Sequence, residues 1–233
     1  MKYRGVFFDW FNTLAGYEVP RELLYQKVFS RHGIELTLRT IFKGIQRGDR
    51  YYFTQGAPLL NTPRTPEALA RHYILYAQYI AGEAGLDIPV ATQLAIVQQT
   101  LSEFSGKMVL FEDVLPAIQE LKRKHLKIGV ITNADARVLS AIQSSAIGNL
   151  VDFVTTSEEA GAEKPDSAIF RQALKKAGLE ASETVFTGDQ YENDVVGARG
   201  AGMDAILLDR WDALPDSPDY IRIQTLASIP ALI

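Results

Sequence analysis

No cysteine occurs among the 233 residues. Disulfides, thiolate metal sites and cysteine nucleophiles are therefore excluded. An excess of positive charge is also missing: 24 Lys and Arg stand against 28 Asp and Glu, for a net charge of −4. That balance offers no electrostatic case for nucleic-acid binding. No apolar run approaches the ~20 residues needed to cross a bilayer. The apolar stretch in MKYRGVFFDW is too short for a secretion signal. Internal repeats and low-complexity segments are absent as well. These absences lead to the expectation of a soluble cytoplasmic protein that meets neither membrane nor nucleic acid. What is present is ordinary for a globular chain, 47% hydrophobic and 22% charged. The length suits one large domain or a domain carrying an insertion.

The chain changes rhythm twice. Residues 4–8 read as a short strand buried on both faces. From 18 to about 105 the pattern is helical: LLYQKVF (23–29) with a stop at His32-Gly33, then a helix over Leu38, Ile41, Phe42 and Ile45 ending near Gly48. Thr65-Pro66-Glu67 is a helix start, with a capping side chain before proline. Val90, Leu94, Val97, Leu101 and Phe104 form a 4-3-4-3 apolar stripe on a fourth helix. The stretch GDRYYFTQGAPLLNTPRT between them reads as a loop. After Gly106, helices and strands alternate (DVLPAIQELKRKH, KIGVIT, DARVLSAIQSSA, VDFVTT, SAIFRQALKKAG, TVFTG, NDVVGARGAG, AILLD), which implies right-handed βαβ crossovers and a parallel sheet. The expected fold is therefore α/β: a Rossmann-like, three-layer core from residues 1–16 and 106–233, with a helical bundle, 17–105, inserted after the first strand.

In open α/β sheets the chemistry lies at the carboxyl ends of the strands. There the sequence puts Asp9, then Thr132-Asn133, then Lys164-Pro165-Asp166, then Gly188-Asp189 with Asp194 five residues on. Singly, each is an ordinary turn or cap. Together they form a set. Three ionised carboxylates at 9, 189 and 194 repel one another. A hard divalent cation removes that conflict, and Mg²⁺ suits a few carboxylates plus substrate phosphate. Thr132, Asn133 and Lys164 supply donors and one positive charge, so an anionic small molecule with several oxygens, such as a phosphoryl group, fits between. Asp9 is then placed to attack phosphorus, with metal and lysine stabilising the developing charge.

With these residues assembled, the chain resembles the haloacid dehalogenase superfamily: FFDWFNTL is similar to its first motif, ITNA to the second, EKPDSAIF to the third and TGDQYEND to the fourth. The resemblance implies a Mg²⁺-dependent hydrolase working through an aspartyl-phosphate. By position it makes Asp9 nucleophile and metal ligand, and the Phe11 backbone carbonyl a further ligand. Thr132 and Asn133 bind the transferring group, and Lys164 neutralises charge. Asp189 ligates the metal, with Asp194 beside it or acting through water. It also implies that residues 17–105 are a C1-type cap that selects substrate; Arg31, Arg39, Arg47 and Arg50 lie there.

The sequence departs from the phosphatase pattern at one position. A second aspartate usually follows the nucleophile by two residues, protonating the leaving oxygen and later activating water; here it is Phe11. Such a group typically contributes ~10²–10⁴-fold. Three readings follow: a phosphatase that uses activated leaving groups or an acid from Tyr51, His72 or His32; a relative of the metal-independent 2-haloacid dehalogenases, which also lack that aspartate; or a binding module of the same fold. Phosphonate hydrolysis, with Lys43 as a Schiff-base former, ranks behind these, since Lys43 reads as a solvated helix lysine. The intact pair at 189 and 194 favours the phosphatase.

Overall fold

The computed structural model describes residues 2–55, 66–215 and 217–233, with the backbone alone at 52–55 and 66–72. The chain divides into two compact units. One comprises Met1–Gly16, Met108–Arg210 and Leu214–Ile233, and the other Tyr17–Lys107 with Trp211–Ala213.

The chain begins with β1 (Gly5–Phe8) and β2 (Ala15–Tyr17). Four helices follow: α1 (Arg21–Arg31), α2 (Leu38–Gln55), α3 (Pro66–Glu83) and α4 (Val90–Glu103). Helix α1 stops where His32-Gly33 suggests; Gly33 takes φ +75°, which a side chain rarely adopts. Helix α2 corrects the expected end at Gly48 by continuing to Gln55. The reason is packing. A Cβ at Gly44 would lie 2.4 Å from the Ile80 Cα, and one at Gly48 2.7 Å from the Tyr76 ring, so the two glycines let α2 and α3 approach closely. Asp49, one residue on, is buried and held by both Arg21 nitrogens at 3.0 and 2.8 Å and by the Tyr76 hydroxyl. The breaking power of Gly48 is overridden by these tertiary contacts. Residues 56–65, including the expected cap Thr65, lie outside the described residues. In α4 the apolar stripe is only partly the buried face: Val97 is buried and Phe104 packs against the helical core, whereas Val90, Leu94 and Leu101 are exposed and Gln93, Ile96 and Thr100 are buried beside Val97. Buried Gln93 bonds the Ile88 carbonyl at 2.8 Å, which satisfies its polar end.

The second half contains β3 (Met108–Leu110), α5 (Val114–Arg123), β4 (Lys127–Thr132), α6 (Arg137–Ser144), β5 (Phe153–Thr156), α7 (Ser157–Ala160), α8 (Ser167–Ala177), β6 (Thr184–Gly188), a π-helical turn (Tyr191–Val196), α9 (Gly197–Gly200), β7 (Asp204–Leu208), β8 (Ile221–Ile223) and α10 (Ile229–Leu232). Six strands form one sheet in the order β5-β4-β1-β6-β7-β8, and every pair in it is parallel. Strands β2 and β3 form a separate two-stranded sheet.

Strand periodicity of two builds the layers. Val6 and Phe8 of β1, Ile128 and Val130 of β4, and Val185 of β6 join Val114, Ile118 and Leu121 of α5 in one core cluster. Phe7, Ile131 and Phe186 point the other way and meet Ile169, Phe170 and Ala173 of α8. The sheet is thus covered on both faces, a three-layer α/β arrangement. Gly129 is required between them, because a Cβ there would come within 2.3 Å of the Phe153 ring. Among the described residues, no helix is long and apolar enough to cross a membrane.

Candidate active site

Strands β4, β1 and β6 are neighbours, and their carboxyl ends carry Thr132-Asn133, Asp9 and Gly188-Asp189, while Lys164 comes from the loop between α7 and α8. The Asp9 N–H donates to the Thr187 carbonyl at 2.9 Å, which prolongs the β1–β6 ladder by one residue and sets the carboxylate at the sheet edge. A tight turn follows. The Trp10 carbonyl accepts from Leu14 N–H at 3.0 Å and Ala15 N–H at 2.9 Å, and Asn12 N–H donates to Ala15 O at 2.7 Å. Asn12 takes φ 61°, a left-handed conformation that Asn tolerates better than most residues. The Phe11 ring is partly buried against the first core cluster. Its side chain therefore has an anchor within the α/β unit.

Lys164 links the acids. Its Nζ donates to Asp9 Oδ1 at 2.7 Å and Asp194 Oδ1 at 2.6 Å, and its side chain is 4% exposed. Asn133 holds the lysine from behind. Its Nδ2 donates to the Lys164 carbonyl at 3.0 Å and its Oδ1 accepts the Lys164 N–H at 2.7 Å. The side-chain amide, expected to face a substrate, is thus engaged with the lysine backbone. Thr132 is buried as the last residue of β4. Asp189 follows β6 directly, and Asp194 sits in the π-helical turn, a widened turn that often marks functional sites. The other oxygen of Asp194 accepts the Gln190 N–H at 2.9 Å. Gly188 makes room for it: a Cβ there would fall 2.2 Å from Asp194 Oδ2. The sequence offers Gly188 as a turn former, but its contact duty comes from the folded site.

Carboxylate oxygens of Asp9, Asp189 and Asp194, all buried, lie within 4.8 Å of one another. Burial pushes the Asp9 carboxyl up to about 6; Lys164 opposes that rise and Asp194 adds to it. Burial pulls the Lys164 pKa down, but Asp194 and Asp9 outweigh it and hold it above its ordinary value. Lys164 is therefore a permanent cation. Three acids and one ammonium leave two negative charges in a buried cluster, a costly arrangement unless compensated. An all-oxygen donor set with that deficit fits a hard divalent cation.

The remaining candidates lie in the helical unit. Tyr51 is exposed, His32 is half-buried at the end of α1, and Lys43 is exposed on α2. Arg31 and Arg47 pair with Glu103 and Glu83, the latter at 3.4 Å. The His72 side chain lies outside the described residues.

Comparison with known proteins agrees with this geometry. Residues 3–202 match the family described as haloacid dehalogenase-like hydrolase. Haloacid dehalogenase-like hydrolase domain-containing protein 3 of Danio rerio is 35% identical over 126 residues, 52% of each chain. The ribulose-1,5-bisphosphate 5-phosphatase of Halopiger xanaduensis is 33% identical over 117 residues, 50% of this chain and 49% of that protein. The chain thus matches about half the length of these curated relatives. A putative HAD-hydrolase of Bacillus subtilis, solved bound to magnesium, superposes with a TM-score of 0.61 at 20% identity, covering 100% of this chain and 99% of the other; at that identity the likeness concerns the fold. With the family model spanning most of its length, the chain belongs to the haloacid dehalogenase-like hydrolases.

Proposed function

We propose that the protein is a Mg²⁺-dependent hydrolase of small phosphorylated molecules that works through an aspartyl-phosphate at Asp9. The observation that carries this reading is the buried cluster of Asp9, Asp189 and Asp194 with Lys164 bridging two of them. Relatives named as phosphatases of phosphorylated sugars add support. Asp9, Asp189, Asp194 and the Phe11 carbonyl would hold the metal, which when bound supplies Lewis-acid stabilisation of the phosphoryl oxygens.

The chain's own residues do the rest. An Asp9 oxygen attacks phosphorus, a P–Oδ bond forms and the ester P–O bond breaks, the leaving oxygen keeping the electron pair. Lys164, permanently charged, neutralises the nucleophile before attack and the transferring oxygens after it. The Thr132 hydroxyl donates to the transferring group. Asn133 fixes the Lys164 backbone and thereby the direction of its ammonium. Water then attacks the phosphorus of the acyl phosphate, releasing inorganic phosphate and restoring Asp9. Phe11 cannot supply the proton that the leaving oxygen needs, so substrates whose leaving groups are stable as anions should react fastest. In this reading residues 17–105 act as the substrate-selecting cap.

Phe11 also favours a second reading, displacement of halide from a 2-haloacid by Asp9, which needs neither proton donor nor metal. One experiment separates the two. An activated aryl phosphate should be hydrolysed with Mg²⁺ and not with EDTA. Turnover of 2-chloropropionate in EDTA, without aryl phosphate turnover, would overturn the phosphatase in favour of the dehalogenase. Metal binding with no turnover of either would leave a binding module.

Gly188→Ala provides a geometric test of the metal site. The added methyl must displace Asp194, which is tied on both oxygens. Overpacking of this kind costs about 1–3 kcal/mol. Calorimetry should show Mg²⁺ affinity reduced at least tenfold by analogy with lost ligand support, on the order of 10–100-fold. Unchanged affinity would remove Asp194 from the site.

A further inference from the structure

The turn that carries Asp9 and Phe11 is tied to the segment after β7, two strands away in the sheet, by a residue outside all four motifs. Arg210 follows β7 by two residues. Its Nη2 donates to the Thr13 carbonyl at 2.8 Å, inside the turn. The same guanidinium grips Asp113, Nη1 to Oδ2 at 2.9 Å and Nη2 to Oδ1 at 3.0 Å. Its Cζ lies 4.0 Å from the centroid of the Phe111 ring, a cation–π contact. Phe111 in turn donates its N–H to the Leu14 carbonyl at 3.1 Å.

Asp113 is itself anchored. It accepts from Thr225 Oγ1 at 2.7 Å and from Leu226 N–H at 2.8 Å, which fixes it to the C-terminal segment. Burial raises its carboxyl, but the bonds from Arg210 and Thr225 outweigh burial and hold it below the usual range. Arg210 and Asp113 side chains are each 16% exposed, so this pair is shielded from salt and solvent more than a surface ion pair. A planar guanidinium, fixed by a carboxylate fork and a ring, keeps Nη2 in a set direction, and that nitrogen donates to the Thr13 carbonyl as well as to Asp113.

The turn has few such holds. Among the described residues its backbone bonds run mostly within itself, between Trp10, Asn12, Leu14 and Ala15, and Asn12 sits in a sparsely populated conformation. Asp9 N–H on the Thr187 carbonyl anchors its start and Phe111 N–H on the Leu14 carbonyl its end, and the Arg210 bond to the Thr13 carbonyl holds the stretch between them. We infer that Arg210 is a positioning residue of the active site: through the Thr13 carbonyl it sets the tilt of the turn and so the place of the Asp9 carboxylate and Phe11 carbonyl. The inference rests on the function proposed above where it concerns the metal, but its structural half stands apart from it.

Arg210→Lys tests it. Lysine keeps a positive charge for Asp113 and so spares the fold, but its single ammonium cannot form the fork and reach Thr13 together. Amide exchange of the metal-free protein and calorimetric Mg²⁺ titration are the two readouts. Exchange at Asn12, Leu14 and Ala15 should rise about ten- to a hundredfold while that of β1 and β6 stays unchanged, and Mg²⁺ affinity should fall about five- to twentyfold. Asp113→Asn, which weakens the fork but leaves the guanidinium on Phe111 and its bond to Thr13, should move both readouts the same way by less. Unchanged exchange in Arg210→Lys overturns the inference whatever the enzyme's activity. Looser exchange with unchanged Mg²⁺ affinity also overturns it, making Arg210 a brace for α5 and the C-terminal segment. Failure of the phosphatase reading has its own signature, absence of Mg²⁺-dependent turnover in the unaltered protein, and leaves both readouts decisive for Arg210.

Discussion

Asp9→Asn is expected to lower Mg²⁺-dependent aryl phosphate hydrolysis by on the order of 10⁴–10⁶-fold, the loss seen when a nucleophile is removed from an otherwise intact site. Asparagine keeps the shape but has no carboxylate to attack phosphorus. The same change should stabilise the metal-free protein. Burial lifts the Asp9 carboxyl from 3.8 to about 6. Because the folded-state value lies above the unfolded one, the folded protein binds the proton more tightly. Ionised Asp9 therefore costs stability, fully above pH 6 and not at all below about pH 4. Burial thus makes the ionised form the less stable one in the folded protein. Asparagine never ionises, so in EDTA the variant should melt several degrees above the parent at pH 7.5. The gap should close as pH falls through 6 towards 4, and adding Mg²⁺ to the parent should narrow it. The two effects have one cause, an acid held for chemistry at the expense of folding. A variant that melts lower than the parent in EDTA at pH 7.5 would show that Asp9 is stabilising and its burial already compensated. Residual activity within tenfold of the parent would remove it as the nucleophile.

Much of this arrangement is legible in the sequence because it is written in short-range terms. The βαβ rhythm after Gly106 and the all-apolar GVFF strand give the parallel sheet, and polar residues at strand ends give Asp9, Thr132, Lys164 and Asp189. The less legible features are products of contact. Gly48 reads as a stop, yet α2 passes through it, because the glycine lies on the Tyr76 ring and Asp49 finds Arg21. The apolar stripe of α4 follows helical spacing, but three of its members are exposed and buried Gln93 takes the inner face, since its amide meets the Ile88 carbonyl. Strands β2, β3 and β8 span three residues each, too few for a periodicity to register. Asn133 reads as a substrate donor by its place beside Thr132, and only the fold brings Lys164 within reach of its amide. Arg210 carries no motif; a lone arginine after a strand acquires meaning when Thr13 and Asp113, 197 and 97 positions away, come to meet it.

Phe11→Asp should raise hydrolysis of alkyl phosphates by about 10²–10⁴-fold, the usual contribution of a positioned general acid and base. The position offers the right reach by sequence, two residues beyond the nucleophile, and the turn does not depend on the phenyl ring. Its shape comes from backbone bonds among Trp10, Asn12, Leu14 and Ala15, all of which an aspartate leaves in place. The cost is the ring's partial burial against the first core cluster, at most about 1.5–3 kcal/mol for a large apolar side chain. A gain confined to proton transfer has a distinctive pattern. Alkyl esters, whose leaving oxygen needs a proton, should gain most, and activated aryl esters, whose leaving group is stable as an anion, should gain least on the first step. Phe11→Ala separates the acid from the space: it removes the same ring without adding a carboxyl, so a gain it shares with Phe11→Asp would mean that the phenyl group merely obstructs substrate. A folded Phe11→Asp protein that binds Mg²⁺ yet gains nothing on any phosphate ester would mean that the missing proton donor is not what limits this site, and that halide displacement or ligand binding is the better account of a phenylalanine there.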